Sequence, residues 1–331
     1  MTTYKKLIAT HFTNDFRDAA QIVEAELTDP APDEIIIRNR YAGVNATDVN
    51  ITTGSYTPGQ QPPIDLGVES VGEVIAVGTE VTTFRVGDHA MAMRVGGGYR
   101  EYLPIKARYA VPVPDSTPEI LSLILSGLTA SFGLDLVGEM GTGETVLVTA
   151  AAGGTGHIAV QLAKLAGNHV IGTCSSAEKA DFLKSIGCDR VVNYKVENLA
   201  DVLRKEYPRG VDLVYESVGR EMFDAAVENL ALRGRLVIIG YISEYLAMPE
   251  RITQPRIYTQ LLGKSASIRG MFLNHFFKHM PEHMQKLTAL LQAGQLRIEI
   301  DPTEFRGVES VVAAVEYLHS GRNNGKVVIR Y

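Results

Sequence analysis

Short apolar runs, separated by stretches with helical spacing, fill the middle of the chain from about residue 123 to residue 290. Each run has the length of a strand and is bounded by turn residues. The predicted strands are Thr145–Thr149, His169–Cys174, Arg190–Tyr194, Val211–Glu216, Arg235–Gly240 and Ser267–Phe272. Predicted helices between them include His157–Lys164, Ala177–Ile186 and Met222–Leu230. This alternation predicts an α/β fold with a doubly wound parallel sheet, as in a Rossmann domain.

The segments on either side have a different pattern, in which glycine and proline turns split short strands. Predicted strands of the first segment are Glu34–Arg38, Gly72–Val77 and His89–Met93. The β pattern returns near the C-terminus, apart from one predicted helix, Val308–Leu318. We therefore predict a Rossmann domain, residues 123–293, inserted into a mostly-β barrel domain made of residues 1–122 and 294–331. A cleft between the two domains is the expected place for the reacting groups.

A glycine-rich turn joins the first Rossmann strand to its helix. It reads Ala150-Ala151-Ala152-Gly153-Gly154-Thr155-Gly156, with alanine where the G-x-G-x-x-G spacing usually begins. Such a turn lets backbone N–H groups approach a pyrophosphate, and the helix N-terminus favours the negative charge. A tight turn without a ligand is the alternative, but the strand before and the helix after favour a dinucleotide site. The predicted cofactor-binding residues here are Gly153, Gly154, Thr155 and Gly156.

The end of the second Rossmann strand predicts which dinucleotide is bound. A carboxylate at this point would hydrogen-bond the adenosine ribose of NAD. The strand instead ends in Cys174-Ser175-Ser176, and the first acidic residue is Glu178. Because Ser175 and Lys179 offer a hydroxyl and a cation to a 2′-phosphate, we predict NADPH over NADH. The alternative for Lys179 is an ordinary solvated surface lysine.

Composition and charge exclude several classes of protein. The 331 residues are 45% hydrophobic and 21% charged, which is ordinary for a globular protein, and the net charge of -6 argues against nucleic acid as a partner. The sequence has no run of eighteen apolar residues and no apolar signal core, so we expect no membrane span. Two cysteines, Cys174 and Cys188, give no disulfide framework and suggest a reducing, cytoplasmic compartment.

The sequence offers no persuasive metal site. The N-terminal segment contains no cysteine, and the spaced histidines His275, His279 and His283 are interrupted by Pro281. We therefore expect no metal, although zinc-dependent alcohol oxidation remains a distant alternative.

Without a metal, hydrogen bonds must polarise a bound carbonyl group. When hydride adds to the β-carbon of an enone, the developing enolate oxygen needs a donor, and the α-carbon needs a proton. Candidate donors are Asn45, Thr47 and Tyr56 in the first segment, and Tyr241 and Tyr245 after the fifth Rossmann strand. From these we select Tyr56, Asn45 and Tyr245 as catalytic candidates. For each tyrosine, the alternative is a packing residue with a satisfied hydroxyl.

Four further motifs resemble the medium-chain dehydrogenase/reductase superfamily. They are Gly43-Val44-Asn45-Ala46-Thr47-Asp48, Gly67-Val68-Glu69-Ser70-Val71-Gly72, Val86-Gly87-Asp88 and Gly127-Leu128-Thr129-Ala130. The zinc enzymes of that superfamily have a cysteine ligand where this chain has Asn45 and a histidine where it has Val68. Several longer strings, including Val148–Gly156, Val170–Ser176 and Val214–Gly219, are similar to its zinc-free quinone oxidoreductase and prostaglandin reductase branch.

This resemblance implies a GroES-like barrel domain and an NADPH-dependent reductase of α,β-unsaturated ketones, of the 15-oxoprostaglandin type. It also implies cofactor contacts at matching positions, to which we add Thr129 and Tyr241. The implied residues are Thr155, Ser175, Lys179, Tyr194, Ser217, Ile239, Tyr245, Met271, Phe272, Leu273 and Asn323. Relatives commonly form homodimers through sheet edges, and Ser267–Leu273 is the candidate edge. Quinone reduction with the same cofactor, and a dinucleotide-binding sensor or scaffold without turnover, are the alternative functions.

Overall fold

The computed structural model describes residues 2–56, 58–246 and 255–331. The chain divides into two compact units. One, here called the split unit, consists of Met1–Leu125 and Ile300–Tyr331, and the other, the inserted unit, is Ser126–Glu299. The corresponding boundaries expected from the sequence pattern follow residues 122 and 293.

The first segment of the split unit is mostly β-structure. Its strands are β1 Thr2–Ala9, β2 Ala20–Leu27, β3 Glu34–Gly43, β4 Ile64–Asp65, β5 Glu69–Val77, β6 His89–Met93, β7 Tyr102–Lys106 and β8 Ala110–Val113. Its helices are α1 Phe16–Ala19, α2 Asp48–Thr52 and α3 Pro118–Ser122, with a 3-10 turn at Ala107–Tyr109.

The inserted unit contains a parallel sheet whose neighbouring strands are all parallel. Its strands are β9 Thr145–Val148, β10 His169–Cys174, β11 Arg190–Asn193, β12 Val211–Glu216, β13 Leu230–Ile238 and β14 Ser267–Gly270. Its helices are α4 Leu128–Ser131, α5 Gly156–Leu165, α6 Ala177–Ser185, α7 Leu199–Glu206, α8 Arg220–Glu228, α9 Tyr258–Leu262 and α10 Met280–Gln292. The strand order is β11-β10-β9-β12-β13-β14. Successive strands are added on one side of β9 as far as β11 and then on its other side from β12 onward, which is the doubly wound arrangement. The predicted Rossmann fold is therefore confirmed.

The second segment of the split unit completes its larger sheet. It adds β15 Phe305–Arg306 and β16 Val328–Arg330, with a 3-10 turn at Val308–Ser310 followed by α11 Val311–His319. The larger sheet has seven strands in the order β15-β16-β3-β5-β6-β8, with β7 also paired to β3, and a smaller sheet has the order β2-β1-β4. Buried residues of both chain segments, such as Val49, Leu66, Val311 and Ile329, pack in one hydrophobic cluster. This shared core holds the two segments together as one unit.

Several elements extend beyond the bounds that the sequence pattern predicts. Strand β3 continues past Arg38 because the buried Asn39 side chain is satisfied by the carbonyl groups of Gly97 and Arg100, at 3.1 and 2.8 Å. Strand β13 begins before the predicted Arg235, and its pairing with β12 is irregular in the part that precedes that residue. The strands β1 and β2 were not predicted, because their alternation is weak and largely polar.

One helical run passes a length and hydropathy test for a membrane span. It covers Pro118–Val137, includes π-helical turns at Leu123–Gly127 and Phe132–Val137, and has a mean hydropathy of 1.8 in its most apolar window. However, 72% of that window is buried inside the structure. This burial is the pattern of a core helix.

Candidate functional site

The glycine-rich turn of the inserted unit leads from β9 directly into α5. Backbone hydrogen bonds fix its start: Ala151 N–H donates to the Thr173 carbonyl at 3.0 Å, and Gly153 N–H donates to the Ala150 carbonyl at 3.0 Å. Ala150 has a φ of 47°, in the left-handed region that residues other than glycine seldom adopt. The turn is thus tightly wound at the carboxyl end of the strand, where ligands bind in doubly wound sheets.

Two glycines of this turn have different packing. At Gly156, an added Cβ would overlap the Ala150 carbonyl oxygen and lie 2.8 Å from Ala151 Cα. At Gly153, an added Cβ would meet only the Ala150 carbonyl oxygen, at 3.2 Å. Gly156 is therefore required by the close approach of helix and strand, whereas at Gly153 the described residues place only this one backbone oxygen near an added Cβ.

Backbone donors are available at the start of α5. Helix α5 begins at Gly156, so the N–H groups of its first turn have no acceptor one turn earlier within the helix itself. The Thr155 side chain makes no capping hydrogen bond either. Such a helix N-terminus fits a phosphate group, which supplies both acceptors and negative charge.

The residues predicted to recognise a 2′-phosphate lie at the neighbouring strand ends. Ser176 caps α6 by accepting a hydrogen bond from the Lys179 N–H at 3.3 Å, and both Ser175 and Lys179 are half-buried. Tyr194 is held beside β10 because its N–H donates to the Cys174 carbonyl at 3.1 Å. The ammonium group of Lys195 lies 5.6 Å from the centre of the Tyr194 ring. The structure therefore brings a hydroxyl, an aromatic ring and two lysines to adjacent strand ends.

A buried carboxylate that the sequence analysis did not select supports the end of β12. Glu216 accepts hydrogen bonds from the Thr149 hydroxyl at 3.2 Å and from the N–H groups of Val218 and Gly219 at 2.8 and 3.1 Å. Burial raises the pKa of Glu216, and the backbone N–H donors oppose that rise. The Thr149 hydroxyl also accepts the Ser217 N–H at 2.8 Å, so the predicted contact residue Ser217 is held in place.

The remaining predicted contacts of the inserted unit follow β13 and β14 or lie in α4. Ile239 donates its N–H to the Glu216 carbonyl at 2.7 Å, and the rings of Tyr241 and Tyr245 form an edge-to-face pair with centres 4.7 Å apart. Met271 and Leu273 are buried, whereas Phe272 is 37% exposed. Thr129 is half-buried within α4.

In the split unit, Asn45 belongs to a buried polar cluster with Glu69 and Lys326. Its amide nitrogen donates to the Gly43 carbonyl at 3.2 Å and to Glu69 Oε1 at 2.9 Å, and its oxygen accepts from Lys326 Nζ at 2.6 Å. Lys326 also forms an ion pair with Glu69 at 2.6 Å, and their side chains are 2% and 0% exposed. Because both amide hydrogens are engaged within the protein, Asn45 has no spare N–H for a substrate oxygen.

A second buried carboxyl group adjoins this cluster. Asp48 Oδ2 accepts hydrogen bonds from the Tyr99 hydroxyl at 2.5 Å and from the Asn45 N–H at 2.8 Å. Complete burial raises the pKa of Asp48 to about 7, although these hydrogen bonds and the charge of Lys326 oppose the rise. Among the described residues, Asp48 Oδ1 and Glu69 Oε2 have no hydrogen-bond partner.

The other predicted residues of the split unit are Tyr56, Asn323 and Thr47. Tyr56 is half-buried against the hydrophobic cluster of that unit and donates its N–H to the Asn50 carbonyl at 3.1 Å. Asn323 is buried, and its amide donates to the Gly325 carbonyl at 3.0 Å. The Thr47 hydroxyl is buried without a partner among the described residues.

The spaced histidines do not share one helical face. His275 and His279 lie in the 3-10 turn Leu273–His279, whereas His283 lies in α10, which has Pro281 in its first turn. His283 is buried, with Nδ1 2.7 Å from the Ser131 hydroxyl, and burial lowers its pKa. Over the described parts of the chain, no three His, Cys, Asp or Glu side chains are grouped to hold a metal ion. The described residues therefore do not fit a zinc centre.

Comparison with known proteins identifies the family. Residues 154–292 match the family model described as zinc-binding dehydrogenase, and residues 31–115 match the alcohol dehydrogenase GroES-like domain. The chain is 45% identical to prostaglandin reductase-3 of Mus musculus, over 99% of this chain and 89% of that protein. The chain belongs to the medium-chain dehydrogenase/reductase superfamily. A probable quinone oxidoreductase of Leishmania amazonensis, another similar protein, is 46% identical over 99% of this chain and 98% of its own.

A solved structure of the same superfamily has a closely similar fold. The quinone oxidoreductase of Escherichia coli, solved in complex with NADPH, superposes with a TM-score of 0.87. It is 28% identical and covers 99% of this chain and 100% of its own. The GroES-like and Rossmann fold classes expected from the sequence are thereby confirmed.

Proposed function

We propose that the protein is an NADPH-dependent, zinc-independent reductase of the carbon–carbon double bond of α,β-unsaturated ketones and aldehydes. The observation that carries the cofactor choice is the sequence at the end of β10, which places Ser175 and Lys179 there and has no acidic residue before Glu178 to bind a ribose hydroxyl. The N-terminus of α5, where the glycine-rich turn ends, supports a pyrophosphate beside it. The similarity to prostaglandin reductase-3 supports the substrate class.

When bound, NADPH supplies the hydride that reduces the β-carbon of the substrate. The protein must then stabilise the negative charge on the substrate oxygen and deliver a proton to the α-carbon. Tyr56 and Tyr245 are the proposed donors, since a tyrosine hydroxyl can both donate a hydrogen bond and transfer its proton. Asn45 has a supporting role, because its amide is held by Glu69 and Lys326.

The remaining cofactor contacts are proposed by position. In the inserted unit they are Thr129, Gly153, Gly154, Thr155, Gly156, Ser175, Lys179, Tyr194, Ser217, Ile239, Tyr241, Tyr245, Met271, Phe272 and Leu273, and in the split unit Asn323. Glu216 supports this set indirectly, because its carboxylate accepts the N–H groups of Val218 and Gly219, which follow Ser217.

Quinone reduction with the same cofactor is the second candidate. It is favoured by the similarity to a probable quinone oxidoreductase over almost the whole of both chains. A quinone accepts electrons at its oxygens and requires no proton at carbon, so the two activities give different products. A dinucleotide-binding sensor or scaffold would bind NADPH and turn over neither substrate.

We also propose a cytoplasmic homodimer. The strand β14 is the last strand of its sheet and leaves one edge unpaired within the described chain. Light scattering at micromolar concentration is expected to give twice the chain mass of 36.0 kDa, and a monomer would contradict the proposal.

The activity is tested by NADPH oxidation with linear enones, 15-oxoprostaglandins and quinones, with NADH in parallel. We expect saturated ketone as the product, with NADPH preferred. Turnover of quinones alone would support the second candidate, and binding without turnover would support a sensor or scaffold. Stoichiometric zinc in the active protein would contradict zinc independence.

A further inference from the structure

His157 lies at the start of α5, directly after the glycine-rich turn, and its side chain is fully buried. Its Nδ1 lies 2.8 Å from the Gly153 carbonyl oxygen, and its Nε2 accepts a hydrogen bond from the Glu299 N–H at 3.1 Å. Neither the sequence motifs nor the proposed mechanism assigns a role to this residue. The imidazole ring nevertheless joins the turn to a distant segment of the inserted unit.

These two contacts define the protonation state of the ring. A carbonyl oxygen can only accept, so Nδ1 must carry the hydrogen that is donated to Gly153. A backbone N–H can only donate, so Nε2 must be the unprotonated acceptor for Glu299. His157 is therefore neutral, with its hydrogen on Nδ1, and a doubly protonated ring would lose the contact with Glu299.

The Gly153 carbonyl receives two hydrogen bonds from residue 157. Besides the ring, the backbone N–H of His157 donates to it at 3.1 Å. Both donors lie on the helix side of the turn, so the carbonyl points along α5 toward its C-terminus. Because a trans peptide is planar, the Gly154 N–H of the same peptide points the opposite way, out of the helix N-terminus.

We propose that His157 is a positioning residue that orients the Gly153–Gly154 peptide for a pyrophosphate. This inference rests on the proposed dinucleotide function. The ring does not touch the ligand, since it is buried beneath the turn; it fixes the direction of one backbone donor before the ligand arrives. A donor that is already oriented need not be ordered during binding, which increases affinity.

Gln161 provides a matched control one helical turn further along α5. Its amide also ties α5 to the distant segment, since it donates to the Arg297 carbonyl at 2.8 Å and accepts the Arg297 N–H at 2.8 Å. However, Gln161 makes no described contact with the glycine-rich turn. Loss of Gln161 removes a similar structural connection and leaves the Gly153–Gly154 peptide untouched.

The experiment compares the Kd for NADPH, the Tm and the kcat of the full chain with those of three variants. His157→Leu is expected to raise the Kd about tenfold or more, while the kcat at saturating NADPH changes less than about twofold. Gln161→Leu is expected to lower the Tm with an unchanged Kd. His157→Gln is expected to stay within about threefold of the wild-type Kd, because the glutamine amide again offers an N–H donor and an acceptor oxygen.

An unchanged Kd in a folded His157→Leu protein, with a Tm loss like that of Gln161→Leu, would overturn the proposal. A His157→Gln protein as weak as His157→Leu would also overturn it. If His157→Leu does not fold, 15N NMR of the wild-type imidazole decides: an Nδ1–H tautomer supports the arrangement, and an Nε2–H tautomer contradicts it. That NMR result does not depend on cofactor binding, so failure of the proposed function remains distinguishable.

Discussion

At the scale of single residues, the proposed role of Lys179 is to distinguish a 2′-phosphate from a 2′-hydroxyl by its charge. Lys179→Ala is expected to raise the KM for NADPH about ten- to a hundredfold, because it removes a charge-assisted contact of about 1.5–3 kcal/mol. The KM for NADH should change little, since NADH carries no phosphate there. Steady-state kinetics with both cofactors checks this expectation, with Lys205→Ala, an exposed lysine on α7, as the control. Equal losses for NADPH and NADH would refute the role.

Single residues also show which features of the candidate site local sequence can predict and which it cannot. Ser175 and Lys179 could be selected from the sequence because they lie within a few residues of a predicted strand end. The hydrogen bond between Asn45 and Lys326 could not be predicted, because the two residues are 281 positions apart in the sequence. The catalytic assignment of Asn45 assumed a free amide, which the fold uses for an internal ion-pair cluster. One feature of the sequence could have identified Glu216 as a site residue: it is an acidic residue at the end of a mostly apolar strand.

At the scale of elements, two glycines of the turn between β9 and α5 are expected to affect different properties, one the stability of the fold and the other NADPH binding. Gly156→Ala is expected to destabilise the protein by about 1–3 kcal/mol, because its Cβ would overlap the rigid backbone of Ala150 and Ala151. Gly153→Ala is expected to lower the Tm less than Gly156→Ala does but to weaken NADPH binding, since the proposed pyrophosphate site lies beside Gly153.

Thermal unfolding and NADPH titration of the two alanine variants measure these effects separately. The pair serves as its own control, because each variant adds the same methyl group to the same turn. A Gly153→Ala protein that binds NADPH like the wild type would place the pyrophosphate elsewhere. A Gly156→Ala protein with unchanged stability would contradict the close approach of helix and strand.

Elements with a buried, apolar pattern were predicted well, and half-exposed ones were not. The central strands β10 and β12 have the bounds that the sequence predicts, since side chains on both of their faces are buried. Strands β1 and β2 pair along their whole lengths, from Thr2 opposite Leu27 to Ala9 opposite Ala20, yet many of their side chains are exposed. Their pairing depends on each other and on β4, which local hydropathy does not encode.

At the scale of the whole molecule, each unit has its own core, and the split unit also buries charged groups. Asp48 releases its proton near pH 4 in the unfolded chain but near pH 7 in the folded protein, because burial disfavours the carboxylate. The folded state thus binds more protons between these values. The contribution of Asp48 to stability is present below about pH 4 and is lost as the pH rises toward 7.

Asp48→Asn is expected to remove this pH dependence. Relative to the wild type, its free energy of unfolding should increase by up to about 1.4 kcal/mol per pH unit between pH 4 and 7, and level off above. Urea unfolding of both proteins across this range measures the difference in the free energy of unfolding. The contributions of the other carboxyl groups, which both proteins share, cancel in this difference. A difference that does not vary with pH would mean that Asp48 titrates as an exposed carboxyl group does.

The most direct test of the proposed chemistry uses NADPH labelled with deuterium at the transferable position of nicotinamide C4. The labelled cofactor is incubated with a linear enone and the purified protein, and the product is analysed by NMR. Reduction of the double bond predicts a saturated ketone with deuterium on the β-carbon. Deuterium on the carbonyl carbon of an allylic alcohol, or no reduction of the enone while quinones are consumed, would contradict it.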